Sequence, residues 1–134
     1  MERLWFMLSF LALVLAASFA LSCGASSHGQ GQLQAITLSP TTADAQSVQF
    51  TATGIYINPS HTVTPQPATW GACYQGAPTT EVSVTATGIA QCASGATGTY
   101  TVFAFDATPA CEIIANHQCG TGCTVVGTAQ LTCP

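Results

Sequence analysis

The chain has 134 residues and a formal net charge of −4 at pH 7, from five acids and a single base. That base is Arg3, so residues 23 to 134 contain no lysine or arginine. Such a surface cannot neutralise phosphates, which argues against nucleic acid as a partner and against electrostatic docking to anionic lipid. The length suits one domain.

Residues 1 to 22 are organised as an export leader. Arg3 forms a short positive region, "LWFMLSFLALVLAASFAL" (4 to 21) an apolar run, and small residues lead to a cleavage point. The alternative is an uncleaved membrane anchor, since the run is just long enough to span a bilayer. No basic stop-transfer cluster follows it, which favours a cleaved leader and an exported protein.

The seven cysteines are Cys23, Cys73, Cys92, Cys111, Cys119, Cys123 and Cys133. In an oxidising compartment they are expected to pair, and an odd number leaves one over. Cys23 is the odd one by position, at the end of the leader and fifty residues before the next cysteine. Setting it aside leaves six, enough for three disulfides of ~2–4 kcal/mol each.

"ALSC" (20 to 23) resembles the lipobox of bacterial lipoproteins, with Ser22 and Gly24 conforming and Ala20 and Leu21 departing from the usual Leu-then-small order. The resemblance implies that Cys23 carries a diacylglycerol, whose two chains suffice for stable attachment to a membrane. The expected location is then the cell envelope, at the outer membrane or cell surface. Ordinary cleavage near Ala20 or Ser22, leaving a free Cys23 thiol, is the alternative. "GASSHGQGQLQ" (24 to 34) reads as the rest of a flexible tether that begins at Cys23.

From residue 35 to 134 the pattern is β. "AITLSP" (35 to 40) sets Ile36 and Leu38 on one face and stops at Pro40. "SVQFTATGIYI" (47 to 57) alternates Val48, Phe50 and Ala52 with Gln49, Thr51 and Thr53, a strand with one buried and one wet face. "ATWGACY" (68 to 74), "EVSVTATGIAQC" (81 to 92), "GTYTVFAFD" (98 to 106) and "TVVGTAQLTC" (124 to 133) continue the series. Turn signals fall at Asn58-Pro59, Gly76-Ala77-Pro78, Gly95 to Gly98 and Thr108-Pro109. Six or seven short strands in about a hundred residues predict an all-β, antiparallel sandwich. Phe50, Trp70, Phe103 and Phe105 are expected to fill most of its core.

The ordered series "ITLSP", "QSVQFTATGIY", "TPQPATW", "VSVTATGIAQCASGATGTYTVFA" and "GTAQLTC" resembles bacterial immunoglobulin-like domains of group 2 over residues 34 to 134. The resemblance implies an immunoglobulin-like β-sandwich serving adhesion or structural spacing at a cell surface, without catalysis. The chain departs from that family in its six domain cysteines and in an insertion, "ATPACEIIANHQCGTGC" (107 to 123), before the last strand. In a sandwich such a loop is expected at one end, where binding loops cluster.

Cys111, His117, Cys119 and Cys123 could make a Cys₃His zinc site. Their spacing matches no zinc motif, and an oxidising compartment favours disulfides, so neither metal nor cofactor is expected. Cys92–Cys133 is the favoured pair, both lying toward the end opposite the insertion. Cys111 then joins Cys119 or Cys123, and Cys73 takes the other. Fifteen pairings remain open in principle. Glu81, Asp106 and Glu112 read as solvated loop acids rather than an acid/base pair or calcium ligands. "SSH" (26 to 28) lies in the tether, and no Gly-x-Ser-x-Gly elbow is present. His61 is expected exposed in a loop. Tyr56 and Tyr74 are either exposed contacts or sheet-packing residues. Tyr74, Glu112 and His117 are the candidate binding residues. The expected activity is non-covalent binding of a protein or glycan; the alternative is a small secreted Cys-rich enzyme or enzyme inhibitor acting through 107 to 123.

Overall fold

A computed structural model of the protein describes residues 31–106, 119, 122, 123 and 125–134. They form eleven strands: β1 (Gln32–Ser39), β2 (Thr42–Asp44), β3 (Ser47–Gln49), β4 (Thr51–Ile57), β5 (His61–Val63), β6 (Thr69–Tyr74), β7 (Ala77–Pro78), β8 (Val82–Val84), β9 (Ile89–Cys92), β10 (Gly98–Phe105) and β11 (Val126–Cys133). No helix occurs among the described residues. The fold is an all-β sandwich. β1 begins at Gln32, so three residues that the sequence assigns to the tether are strand.

One layer is the five-stranded sheet β2-β11-β10-β6-β7. It is antiparallel except at its edge, where β2 runs parallel to β11. The other layer is built from β1-β4-β5 and β3-β9-β8. These two sheets share one path, because β3 and β4 are separated by Phe50 alone. The sequence predicts a single strand over 47 to 57; in the structure its lateral partner changes at Phe50, from β9 to β5. The change is held by backbone and side chain together. Phe50 N–H donates to Gly88 O at 2.9 Å. The Gln49 amide donates to Phe50 O at 2.6 Å and to Thr87 O at 2.7 Å. A side chain thus replaces ladder bonds where the sheet forks.

The core lies between the layers. Ile36, Leu38, Phe50, Ala52, Val82 and Ala90 meet Ala72, Tyr100, Val102, Ala104, Ala129 and Leu131. β11 alternates buried Gly127, Ala129, Leu131 and Cys133 with more exposed neighbours, as a strand with one buried face requires. The many small residues let the layers come close along one edge. A Cβ at Gly127 would stand 2.7 Å from Ile36 O of β1, which leaves no room for a side chain. Cys92 and Cys133, each 3% exposed, form a disulfide through this core with Cα atoms 6.0 Å apart. It is the pair the sequence favours, and it ties β9 to β11.

Two expectations are corrected on the far side of the five-stranded sheet. Tyr100, Val102 and Ala104 point inward along β10, so Phe103 must point outward. Phe103 and Phe105 join a second, separate cluster with Cys73, Cys119, Cys123 and Val126 rather than the sandwich core. The described cysteines of the insertion therefore cover the outer sheet face instead of capping one end. The Cys73–Cys119 disulfide, with Cα atoms 5.7 Å apart, fastens Cys119 there. Cys73 sits opposite Thr101 in the middle of β10, which a loop confined to the sandwich end could not reach. Cys123 is also disulfide-bonded.

Candidate functional site

The fork in the sheet opens a cleft of about 450 Å³. Its walls come from three parts of the chain. Gln49, Phe50, Thr51 and Ala52 border the fork; Pro65 to Ala68 connect β5 to β6; Ala86 and Thr87 form the β8–β9 turn. Trp70, which belongs to the opposite sheet and pairs with Ala104, also lines it. Trp70 packs against the main core yet stays half-buried. The cleft thus looks from one layer onto an indole of the other.

Gly88 keeps this arrangement possible. Its φ is +87°, and a Cβ there would meet Phe50 O and stand 2.9 Å from Trp70 Cζ2. A left-handed turn residue without a side chain is what allows the β8–β9 turn to lie against the indole.

Gln66 is the one buried polar or charged residue among those described, at 7% exposure. Its backbone N–H donates to Ala52 O at 2.8 Å, which bridges the fork. Its side-chain Oε1 accepts from the Tyr56 hydroxyl at 2.9 Å, and its Nε2 donates to Pro67 O at 3.2 Å. Gly54 makes the space for this amide, since a Cβ at 54 would meet Gln66 Oε1. Tyr56 is itself fixed by stacking on His61, with ring centroids 4.7 Å apart. His61 Nδ1 lies 3.0 Å from Pro59 O. His61 and Tyr56 are therefore neither loop-borne nor free contacts: His61 lies in β5, and the pair supports Gln66 from behind.

The cleft carries no titratable side chain. Its polar groups are two carboxamides and two threonine hydroxyls on an apolar and aromatic lining. That set is suited to holding an uncharged ligand at equilibrium.

The sequence-predicted site residues fall elsewhere. Tyr74 is 37% exposed and packs on Tyr100, centroids 5.0 Å apart, away from the cleft lining. Tyr100 is buried; its hydroxyl lies 2.7 Å from Glu81 Oε2 and 3.2 Å from Thr97 O. The bond to Glu81, with burial, pushes the phenol from 10.0 up to about 12. Glu81 is exposed but accepts this bond, so it is more than a solvated loop acid. Glu112, His117, Cys111 and Cys23, the residue at which the sequence leads one to expect a lipid, lie outside the described residues. Among the described residues no group of three or more His, Cys, Asp or Glu side chains is placed to hold a metal ion.

The sequence reading passed over Gln49, Gln66, Pro65 and Pro67. A signal was available: in "TPQPATW" a lone amide sits between two prolines just before a tryptophan. Compared with models of known families and with curated proteins, the chain matches none.

Proposed function

We propose that this protein is an exported, lipid-anchored immunoglobulin-like module that binds its partner non-covalently at the cell surface. The leader, the parity of the cysteines and the lipobox-like "ALSC" support attachment through Cys23. The five described cysteines are all in disulfides, as an oxidising compartment outside the cytoplasm favours. The strand order supports the immunoglobulin-like reading. β1, β3–β4, β9 and β8 in one layer and β11, β10 and β6 in the other follow the ABED and GFC arrangement of such sandwiches.

The observation that carries the binding role is the Trp70 cleft, a built concavity whose fixed polar groups are all uncharged. The anchor is tested by intact mass spectrometry of protein purified from membranes, with and without reduction and alkylation. The expected mass starts at Cys23, includes a diacylglycerol, and gains six alkylated thiols only after reduction. A soluble, lipid-free protein with a free Cys23 thiol would remove the display role.

A further inference from the structure

We propose that the Trp70 cleft binds a neutral saccharide, the pyranose ring lying on the indole and its hydroxyls meeting the amides of Gln66 and Gln49. This rests on the reading of the protein as a binding module and names the ligand class of the same cleft.

Charge narrows the ligand first. No titratable group lines the cleft, and residues 23 to 134 hold no lysine or arginine anywhere. An anionic sugar or phosphate would be desolvated there without a counter-charge, and a cation without a carboxylate. The ligand is therefore uncharged.

The polar groups narrow it further. A carboxamide offers two donor hydrogens and two acceptor lone pairs. Gln66 Nε2 spends one hydrogen on Pro67 O, and Oε1 takes the Tyr56 hydroxyl. One donor and one acceptor site stay unspent on a side chain that is more than nine-tenths buried and lines the cleft. Gln49 spends both hydrogens on Phe50 O and Thr87 O, which fixes its amide plane and leaves Oε1 as a pure acceptor. Paired donor and acceptor sites suit hydroxyls, which both give and take a hydrogen bond.

The apolar surface completes the match. A pyranose has C–H faces and a polar rim, and a flat indole covers such a face while leaving the rim free. Trp70 is half-buried and backed by core, so it is rigid before the ligand arrives. A preformed platform avoids the ordering cost that weakens flexible sites. An extended peptide fits less well, because it needs a row of backbone partners, and Phe50 N–H, Ala52 O and Gln66 N–H along the lining are already bonded to the protein itself.

Once residues 1–22 are removed Trp70 is the only tryptophan, so its fluorescence reports on the cleft alone. The processed protein, disulfides intact, is screened on an array of neutral and acidic oligosaccharides and of uncharged proline-containing peptides. Hits are then titrated in solution by Trp70 emission. A neutral oligosaccharide is expected to shift the emission saturably. Ala86→Tyr, which fills the rim at an exposed turn residue, should weaken it by about tenfold or more with the circular dichroism spectrum unchanged. Thr99→Tyr, on the exposed side of β10, is the control that leaves it intact. A neutral saccharide that binds Ala86→Tyr equally well would overturn the cleft as its site. A shift by acidic saccharides alone overturns the ligand class. A shift by peptides and not saccharides does the same but leaves the binding module standing. No shift by any class overturns both.

Discussion

Phe103 stands directly across from Gly71 in the β6–β10 ladder, and its ring occupies the place a side chain at 71 would take. Phe103 can therefore lie flat on the outer sheet face, beside Phe105 at a centroid distance of 6.0 Å and beneath the cysteines of the insertion. Gly71→Ala sets two effects against each other. Replacing a strand glycine contributes about 0.5–1 kcal/mol of stability, while overpacking costs about 1–3 kcal/mol. The clash with the ring wins, so urea unfolding of Gly71→Ala should show a net loss of about 1–2 kcal/mol. Equal or greater stability would mean that Phe103 is free to swing away.

The two mapped disulfides should differ in rate of reduction more than in thermodynamic weight. They span 46 and 41 residues, and loop closure assigns each about 4 kcal/mol. Their surroundings differ. Cys92 and Cys133 are both sealed in the core, whereas Cys119 is only partly buried on the outer face. Timed reduction with alkylation and peptide mapping should label Cys73 and Cys119 before Cys92 and Cys133. The reverse order would contradict the placement of Cys119 on the outer face.

With Cys73, Cys119, Cys92 and Cys133 engaged, the sequence leaves Cys111 and Cys23 as candidates for Cys123. Peptide mapping of the unreduced protein should recover Cys123 linked to Cys111, if the proposed lipid occupies Cys23. A Cys23–Cys123 link would remove the anchor.

Tyr100 sets an alkaline limit on stability. Its phenol titrates at about 12 in the fold against 10.0 without the fold's contacts. A raised native value means the folded state holds the proton longer. The contribution is complete below pH 10 and is lost as the pH climbs toward 12. Thermal melting should be flat on this account up to pH 10 and fall beyond it, and Tyr100→Phe should remove that fall. Spectrophotometric titration should also show a late phenol, absent from Tyr100→Phe.

Tyr56→Phe tests the support behind the cleft. It deletes the hydroxyl that Gln66 Oε1 accepts, leaving a buried carbonyl short of a partner at a cost of about 1–2 kcal/mol. The same variant should broaden the orientation of the Gln66 amide and weaken any ligand bound there. Unchanged urea unfolding would mean that Gln66 is satisfied without Tyr56.

The strands were legible because their faces differ. Val48, Phe50 and Ala52 against Gln49, Thr51 and Thr53 announce a half-buried strand whatever surrounds it. The same rule misleads in "YTVFAF", where Val102 and Ala104 are buried by the opposite sheet and Phe103 and Phe105 on the other face are buried with Cys119, Cys123 and Val126. Nothing local tells Val102 from Phe103; only the cover does. The cleft was hidden for a related reason. Phe50 looks like any inward residue, and the change of partner beside it depends on Gly88 and Thr87, some forty residues away. Gln66 reads as a loop residue between prolines, and its burial follows from the space left at Gly54 and from Tyr56.

The register of β1 on β4 has a mechanical consequence. Gln32 pairs with Ile57 at one end and Ser39 with Thr51 at the other. The chain therefore enters the domain at the far end of the same ladder whose near end borders the cleft. Tension between residue 32 and an object held at Thr51 and Ala52 runs lengthwise along the two strands. The ladder is sheared rather than unzipped, so its backbone hydrogen bonds resist together and must fail together.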